Sequence, residues 1–211
     1  MSKKETQICA SFFYELISAV ICATIQSINY LLGILDINME VRQCKIQDVE
    51  AVGEFYDDVV ANLCASINYP KWTHKVYPST NFAREMTDKG EQFVCVENNE
   101  IVGAFVFNDD PQGAYENATW GAILQRGEYG VCHAVAIKTS LQGKGFGKQI
   151  VEFCIRRAKE LGYKAIRLDV VPSNLPARKL YEKCGFTYVG DADLERGYED
   201  IPVFSLLELN F

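Results

Sequence analysis

Three observations predict a mixed α/β (α+β) fold built on a central sheet. From residue 39 onward, strand-like and helix-like patterns follow one another in the order β-α-α-β-β-β-α-β-α-β-β. A glycine-rich loop, Gln142-Gly143-Lys144-Gly145-Phe146-Gly147-Lys148, joins an apolar strand-like run to a helical one. Of the 211 residues, 48% are hydrophobic, enough to fill one domain core.

Residues 1–38 read differently from the rest. Leu16 to Leu35 is twenty residues without a charge. Ile17, Ile21, Thr24, Ile28, Leu31 and Leu35 recur on one helical face. The length approaches that of a membrane span, but Gln26, Ser27 and Asn29 near its middle would be costly in lipid. Glu15 interrupts a signal-peptide pattern, and no clean cleavage site follows. The expectation is an N-terminal apolar helical extension, 1–38, that packs or self-associates. Membrane contact through 12–35 and a dispensable extension stay open, the first as the less favoured reading.

From Met39 the elements are regular. Glu40 to Cys44 reads as a strand. Asp48 is placed to cap a helix whose apolar face is Val49, Val52, Phe55, Val59 and Leu63. Asn68 to Pro78 is an aromatic, proline-punctuated loop, after which Thr80 or Asn81 caps a short helix ending at Gly90. Phe93–Val96 and Ile101–Phe107 flank Asn98-Asn99 as a hairpin. A long connection, Pro111 to Arg126, leads to the strand Glu128–Ile137, the glycine loop, and a helix over Gln149–Leu161. Ala165–Val171 is a strand, Pro176 opens a helix that Gly185 ends, and Phe186–Val189 and Val203–Phe211 are the last strands.

Composition excludes several classes. With 28 acidic and 21 basic residues the formal charge is −7, and the isoelectric point is about 5.0. That argues against a nucleic-acid surface. The eight cysteines, Cys9, Cys22, Cys44, Cys64, Cys95, Cys132, Cys154 and Cys184, form no Cys-x-x-Cys pair, and His74 and His133 stand apart from any cysteine cluster. No metal site or disulfide scaffold is expected. Reduced, mostly buried thiols in a cytoplasmic protein are expected instead.

The glycine loop carries the chemistry. Glycines allow φ > 0 and close backbone approach, and the following helix presents free N–H groups at its positive end. Such a loop suits a phosphate or pyrophosphate. A Walker loop is excluded because Gly147-Lys148 is followed by Gln149 and preceded at the required distance by Gln142. A dinucleotide fingerprint is excluded because its third small residue would be Lys148 or Ile150. What remains is Gln-x-x-Gly-x-Gly, on Gln142, Gly145 and Gly147.

This pattern resembles the acetyl-CoA pyrophosphate loop of the GNAT superfamily of N-acetyltransferases. A second stretch, Asn174-Leu-Pro-Ala177-Arg-Lys-Leu180-Tyr181-Glu-Lys-Cys-Gly185-Phe186, is similar to that family's Asn-x-x-Ala-x-x-Leu-Tyr-x-x-x-Gly-Phe. The likeness spans about residues 39–211, and Met39-Glu40-Val41-Arg42 resembles a first GNAT strand. It implies the GNAT fold, a mixed, mostly antiparallel sheet flanked by helices. It also implies transfer of the acetyl group of acetyl-CoA, by direct attack, to a primary amine of a small molecule or peptide. The same likeness implies that the strand before the loop bulges, which frees the backbone of Val135, Ala136 and Ile137 to meet the pantetheine arm. Gln142, Gly143, Lys144, Gly145, Phe146, Gly147 and Lys148 hold the pyrophosphate. Asn174 bonds the arm or caps its helix, and Tyr181 protonates the departing thiolate, unless it is only a core aromatic.

An amine with a pKa near 10.4 is neutral in only about one molecule in 10³ at pH 7, so a base is useful. His133 is the candidate, placed by two-residue alternation on the face of Val131, Val135 and Ile137. The string His133-Ala134-Val135-Ala136-Ile137 is similar to that of arylalkylamine N-acetyltransferases. A satisfied structural histidine is the competing reading, with Glu128, Asp169 and Glu199 as lesser bases. The acceptor pocket is expected from 68–78, 113–126 and 191–203, whose Tyr69, Trp72, Tyr77, Tyr115, Trp120 and Tyr198 and whose acidic Asp191, Asp193, Glu195, Glu199 and Asp200 suit an organic cation. The rival functions are a catalytically silent CoA-binding module and a membrane-associated acyltransferase. A homodimer is compatible with either.

Overall fold

The computed structural model describes residues 39–211. The helical extension expected over 1–38, with its membrane and self-association alternatives, lies outside the described residues. Among those described, no helix is long and apolar enough to cross a membrane.

Seven strands form one sheet: β1 (Glu40–Gln43), β2 (Gln92–Glu97), β3 (Glu100–Asn108), β4 (Tyr129–Ile137), β5 (Ala165–Val170), β6 (Thr187–Ala192) and β7 (Phe204–Asn210). Their spatial order is β1-β2-β3-β4-β5-β7-β6. Only the β4–β5 pair is parallel; the other neighbours are antiparallel. The helices are α1 (Val49–Cys64), α2 (Thr80–Asp88), α3 (Phe146–Glu160) and α4 (Leu175–Lys183). Element order and sheet type are those expected from the sequence.

The Asn98-Asn99 hairpin forms because both residues take left-handed backbone, φ 50° and 63°, as a two-residue turn between twisted strands requires. Strand alternation then sorts the core. Val94 and Ala104 face α1, where they join Val52, Tyr56 and Ala136. Phe93 and Phe105 face the other way and stack at 5.3 Å, closed by Phe153 of α3.

Two caps differ from expectation. Asp48 makes no cap bond to α1; it accepts from the Lys45 N–H at 2.8 Å and pairs with Arg42 at 2.6 Å. A short 3-10 turn, Ile46–Asp48, intervenes and takes up its side chain. At α2 the cap is Ser79, whose Oγ accepts from the Phe82 N–H at 3.3 Å, one residue earlier than expected.

The long connection before β4 is tied down by a buried ion pair. Arg167 Nε donates to Glu208 Oε1 at 2.9 Å, with side-chain exposures of 3% and 1%. Arg167 also donates to the Ala122 carbonyl at 2.6 Å and lies between the rings of Trp120 and Tyr129. Trp120 therefore packs on this pair and does not line an acceptor pocket. Removing one partner strands a buried charge, which costs about 3–5 kcal/mol. Glu208→Ala is expected to lower unfolding free energy by that amount in urea titrations. The joint Arg167→Met/Glu208→Leu variant is expected to lose much less; equal losses would show that the charge pairing is not what matters.

Candidate acetyl donor and acceptor cleft

β4 and β5 pair only at Tyr129–Ala165, Gly130–Ile166 and Val131–Arg167. Beyond Val131 they part, and β4 continues with β3 alone. A cleft of about 1240 Å³ opens at this parting. That exceeds the roughly 300–1,000 Å³ of a one-ligand pocket, so there is room for a donor and an acceptor together.

β4 is also bulged. His133 is opposite Val106 and Ala136 is opposite Ala104, so two residues of β4 face the single Phe105. Ala134 takes φ 48° to make the extra step. The bulge corrects the alternation argument. His133 and Ala136 share a face, since Val106 and Ala104 do; Val135 and Ile137 do not share it. Ile137 points toward α3, its Cδ1 lying 3.3 Å from where a Cβ on Gly147 would stand. Two-residue alternation cannot register an inserted residue, so it puts Val135 and Ile137 on the wrong face.

The bulge has a strut that the sequence did not reveal. The buried Tyr56 hydroxyl of α1 donates to the Ala134 carbonyl at 3.2 Å, and Gln92 Nε2 donates to Tyr56 at 3.3 Å and to the Phe93 and Phe105 carbonyls. Tyr56→Phe is expected to raise KM for the donor severalfold while costing about 1 kcal/mol of stability, the usual worth of one hydrogen bond. Adding Ala134→Gly, which adopts positive φ without support, is expected to recover KM. A KM unmoved by Tyr56→Phe would remove the strut from the site.

At the glycine loop, Gly143 (φ 77°) and Gly145 (φ 92°) have no atom within 4 Å of an added Cβ. The N–H groups of Gly143, Gly145, Phe146, Gly147 and Lys148 have no acceptor among the described residues. Five free donors thus lie in or beside the first turn of α3, at its positive end. Gly147 has a different role: an added Cβ would stand 2.9 Å from Leu180 Cδ2, so it lets α3 and α4 close together. Gln142 and Lys148 line the cleft, and Lys148 also pairs with Glu152 at 3.4 Å. Lys144 and Phe146 do not line it. The Lys144 N–H is taken by the Leu141 carbonyl and its side chain is exposed, whereas the Phe146 ring is in the core.

Asn174 lines the cleft and caps α4, its Oδ1 accepting from the Ala177 N–H at 3.3 Å. Its Nδ2 has no acceptor among the described residues, so cap and ligand donor are compatible. Tyr181 is 6% exposed and lines the cleft. Its hydroxyl has no partner among the described residues and is not enclosed. Burial raises its pKa well above the ordinary value, so it stays protonated.

His133 is buried, and its Nε2 lies 2.7 Å from the Asp110 carbonyl. A carbonyl only accepts, so Nε2 carries the proton and Nδ1 keeps the lone pair. Burial lowers its pKa, leaving the ring neutral at pH 7. Of the lesser bases, Asp169 is engaged: Arg196 holds it bidentately at 2.7 and 2.8 Å, and Tyr115 donates to it at 2.8 Å. Arg196 also donates to the Pro111 and Gln112 carbonyls at 2.9 Å, fixing the loop whose Asp110 orients His133. Glu128 is paired with Lys164 and lies outside the cleft, while Glu199 lines it. Tyr69, Trp72, Tyr77, Tyr198 and Asp200 line it as well. Tyr115 does not, and Asp191, Asp193 and Glu195 are spent on local bonds to Ser205, the Glu195 N–H and Asn117.

Element order, a mostly antiparallel mixed sheet, the bulge and the glycine cradle together match the architecture that the GNAT likeness implies. The profile of the acetyltransferase (GNAT) family matches residues 58–186, and the chain belongs to that family. It is 31% identical over 109 residues to the uncharacterized N-acetyltransferase YvbK of Bacillus subtilis, covering 52% of this chain and 61% of that one. It is 31% identical over 125 residues to the [ribosomal protein bS18]-alanine N-acetyltransferase of Haemophilus influenzae, covering 58% and 72%. Streptothricin acetyltransferase of Escherichia coli is 34% identical over 99 residues, covering 46% and 52%. The chain therefore spans about half to three fifths of the length of the first curated relatives it matches. In structure it is similar to a GNAT acetyltransferase of Streptococcus agalactiae (TM-score 0.68, 18% identity, 82% of this chain and 95% of that). It is also similar to yncA of Salmonella typhimurium, solved with acetyl-CoA (TM-score 0.61, 18% identity, 82% and 94%).

Proposed function

We propose that this protein transfers the acetyl group of acetyl-CoA to a primary amine of a small molecule or peptide. The observation that carries the reading is that four residues with unpartnered N–H groups, Gly143, Gly145, Gly147 and Lys148, line one cleft with Tyr181 between parted strands. The site fits the donor: open space at Gly143 and Gly145 admits a pyrophosphate against the backbone, and the unpaired β4 edge from Val135 to Ile137 offers amide groups to the pantetheine arm. Acetyl-CoA supplies an activated acyl thioester. Asn174 Nδ2 bonds the arm. Tyr181 gives its proton to the departing sulfur. His133 Nδ1, directly or through water, receives the proton that the attacking amine sheds. Trp72, Tyr77 and Tyr198, with Glu199 and Asp200, make the other limb of the cleft congenial to a cation. Two of the relatives are named for N-acetylation of a ribosomal-protein alanine and for acetylation of streptothricin, consistent with an amine acceptor.

The test is release of CoA thiol from acetyl-CoA across a panel of amines, amino acids, aminoglycosides and N-terminal peptides. Acceptor-dependent release, with the acetyl group found on nitrogen by mass spectrometry, is expected. Tight acetyl-CoA binding with no transfer to any amine would instead favour a CoA-binding module.

A further inference from the structure

Two thiols meet at the wall of the cleft. Cys132 of β4 precedes His133, is 9% exposed, and lines the cleft beside Tyr181. Its Sγ lies 3.7 Å from Sγ of Cys154, at the middle of α3 and only 2% exposed. Burial, and after it the Cys132 thiol, hold up the Tyr181 hydroxyl, which places that sulfur close to the oxygen assigned to the donor's sulfur. Cys154 is buried and does not line the cleft, whereas Cys132 does. A CoA disulfide seated by one half in the donor limb would bring its S–S bond to this wall. We infer that Cys132 is a thiol–disulfide exchange site for CoA disulfide, with Cys154 as the resolving thiol; the inference rests on the donor-site reading above.

The exchange balances without any further reagent. The Cys132 thiolate attacks one sulfur of CoA disulfide; that S–S bond breaks, and one CoA leaves as a thiolate that takes up the proton Cys132 has lost. The Cys154 thiolate then attacks the Cys132 sulfur of the mixed disulfide, expelling the second CoA. One CoA disulfide is reduced to two thiols, and two cysteines are oxidised to one disulfide. The sulfurs must close from 3.7 Å to roughly 2.05 Å. Burial also raises the Cys154 thiol well above its ordinary pKa, so resolution is the slower step and the CoA adduct accumulates first. Both products silence transfer: the adduct fills the donor limb, and the bridge ties β4 to α3.

The experiment treats the reduced full chain with CoA disulfide or, separately, glutathione disulfide, and follows intact mass and peptide maps. The expected result is a CoA adduct on Cys132, then a Cys132–Cys154 link with release of two CoA thiols and recovery by dithiothreitol. Cys154→Ser is expected to stop at the adduct, and Cys132→Ser to form neither product. Because the cleft concentrates its own ligand, Cys132 is expected to react about tenfold or more faster with CoA disulfide than with glutathione disulfide, whereas the exposed Cys64 shows no such preference. Cys132 and Cys154 staying reduced while Cys64 reacts would overturn the inference, as would equal rates with the two disulfides. Calorimetric titration of the same protein with CoA separates the two readings. CoA binding without exchange defeats this inference and leaves the donor site standing, whereas no CoA binding defeats the donor site itself.

Discussion

Gly145→Glu is expected to abolish acetyl-CoA binding while leaving the fold intact. Gly145 sits at φ 92° immediately before α3, where an L-residue is strained by about 1–3 kcal/mol. Relief of that strain turns the loop's N–H groups away from their common focus. The new side chain also enters the open space beside the backbone and sets a carboxylate where a pyrophosphate is to be held. Gly145→Ala separates the causes, since it imposes the strain alone; about a tenfold to hundredfold loss of affinity is expected from 1–3 kcal/mol. Gly147→Ala is the contrast. Its Cβ would strike Leu180 Cδ2 at 2.9 Å, so thermal stability falls at least as clearly as affinity. Calorimetry showing full affinity in Gly145→Glu would remove the loop from the donor site.

Tyr181→Phe is expected to reduce kcat by about 10²- to 10⁴-fold, the range for losing a positioned acid, with donor affinity unchanged. The hydroxyl has no partner among the described residues, so its removal leaves no buried group orphaned, and the melting temperature is expected to hold. The ring stays packed on Phe186, with centroids 5.7 Å apart. Single-turnover rates measured beside CoA binding check this directly. A kcat equal to that of the unaltered protein would return Tyr181 to the status of a core aromatic.

The hairpin, the order of elements along the chain and the glycine loop were legible because each rests on local chemistry. Asn98 and Asn99 tolerate left-handed backbone, and Gly145 and Gly147 stand at a spacing that only a few phosphate loops use. Asn174 was legible as a cap, and its Oδ1 serves as one, while its Nδ2 has no acceptor among the described residues. The cap of α2 was missed by one residue because Ser79, Thr80 and Asn81 are all good caps, and packing of the apolar residues after them chose the register.

What sequence alone determined about this protein is its order of elements, the family likeness and the glycine loop, all of which follow from contiguous residues. Tertiary structure alone decided how the cleft is walled and how its polar groups are held. The position of the bulge, at Ala134, set the faces of β4. Tyr56, 78 residues distant in sequence, props its carbonyl. Arg196 clamps Asp169 and the 111–112 segment that neighbours the carbonyl holding His133 Nε2. These partners are remote in the chain, and no periodicity or spacing links them; they meet only because β4 and β5 part and leave polar groups that distant residues must satisfy.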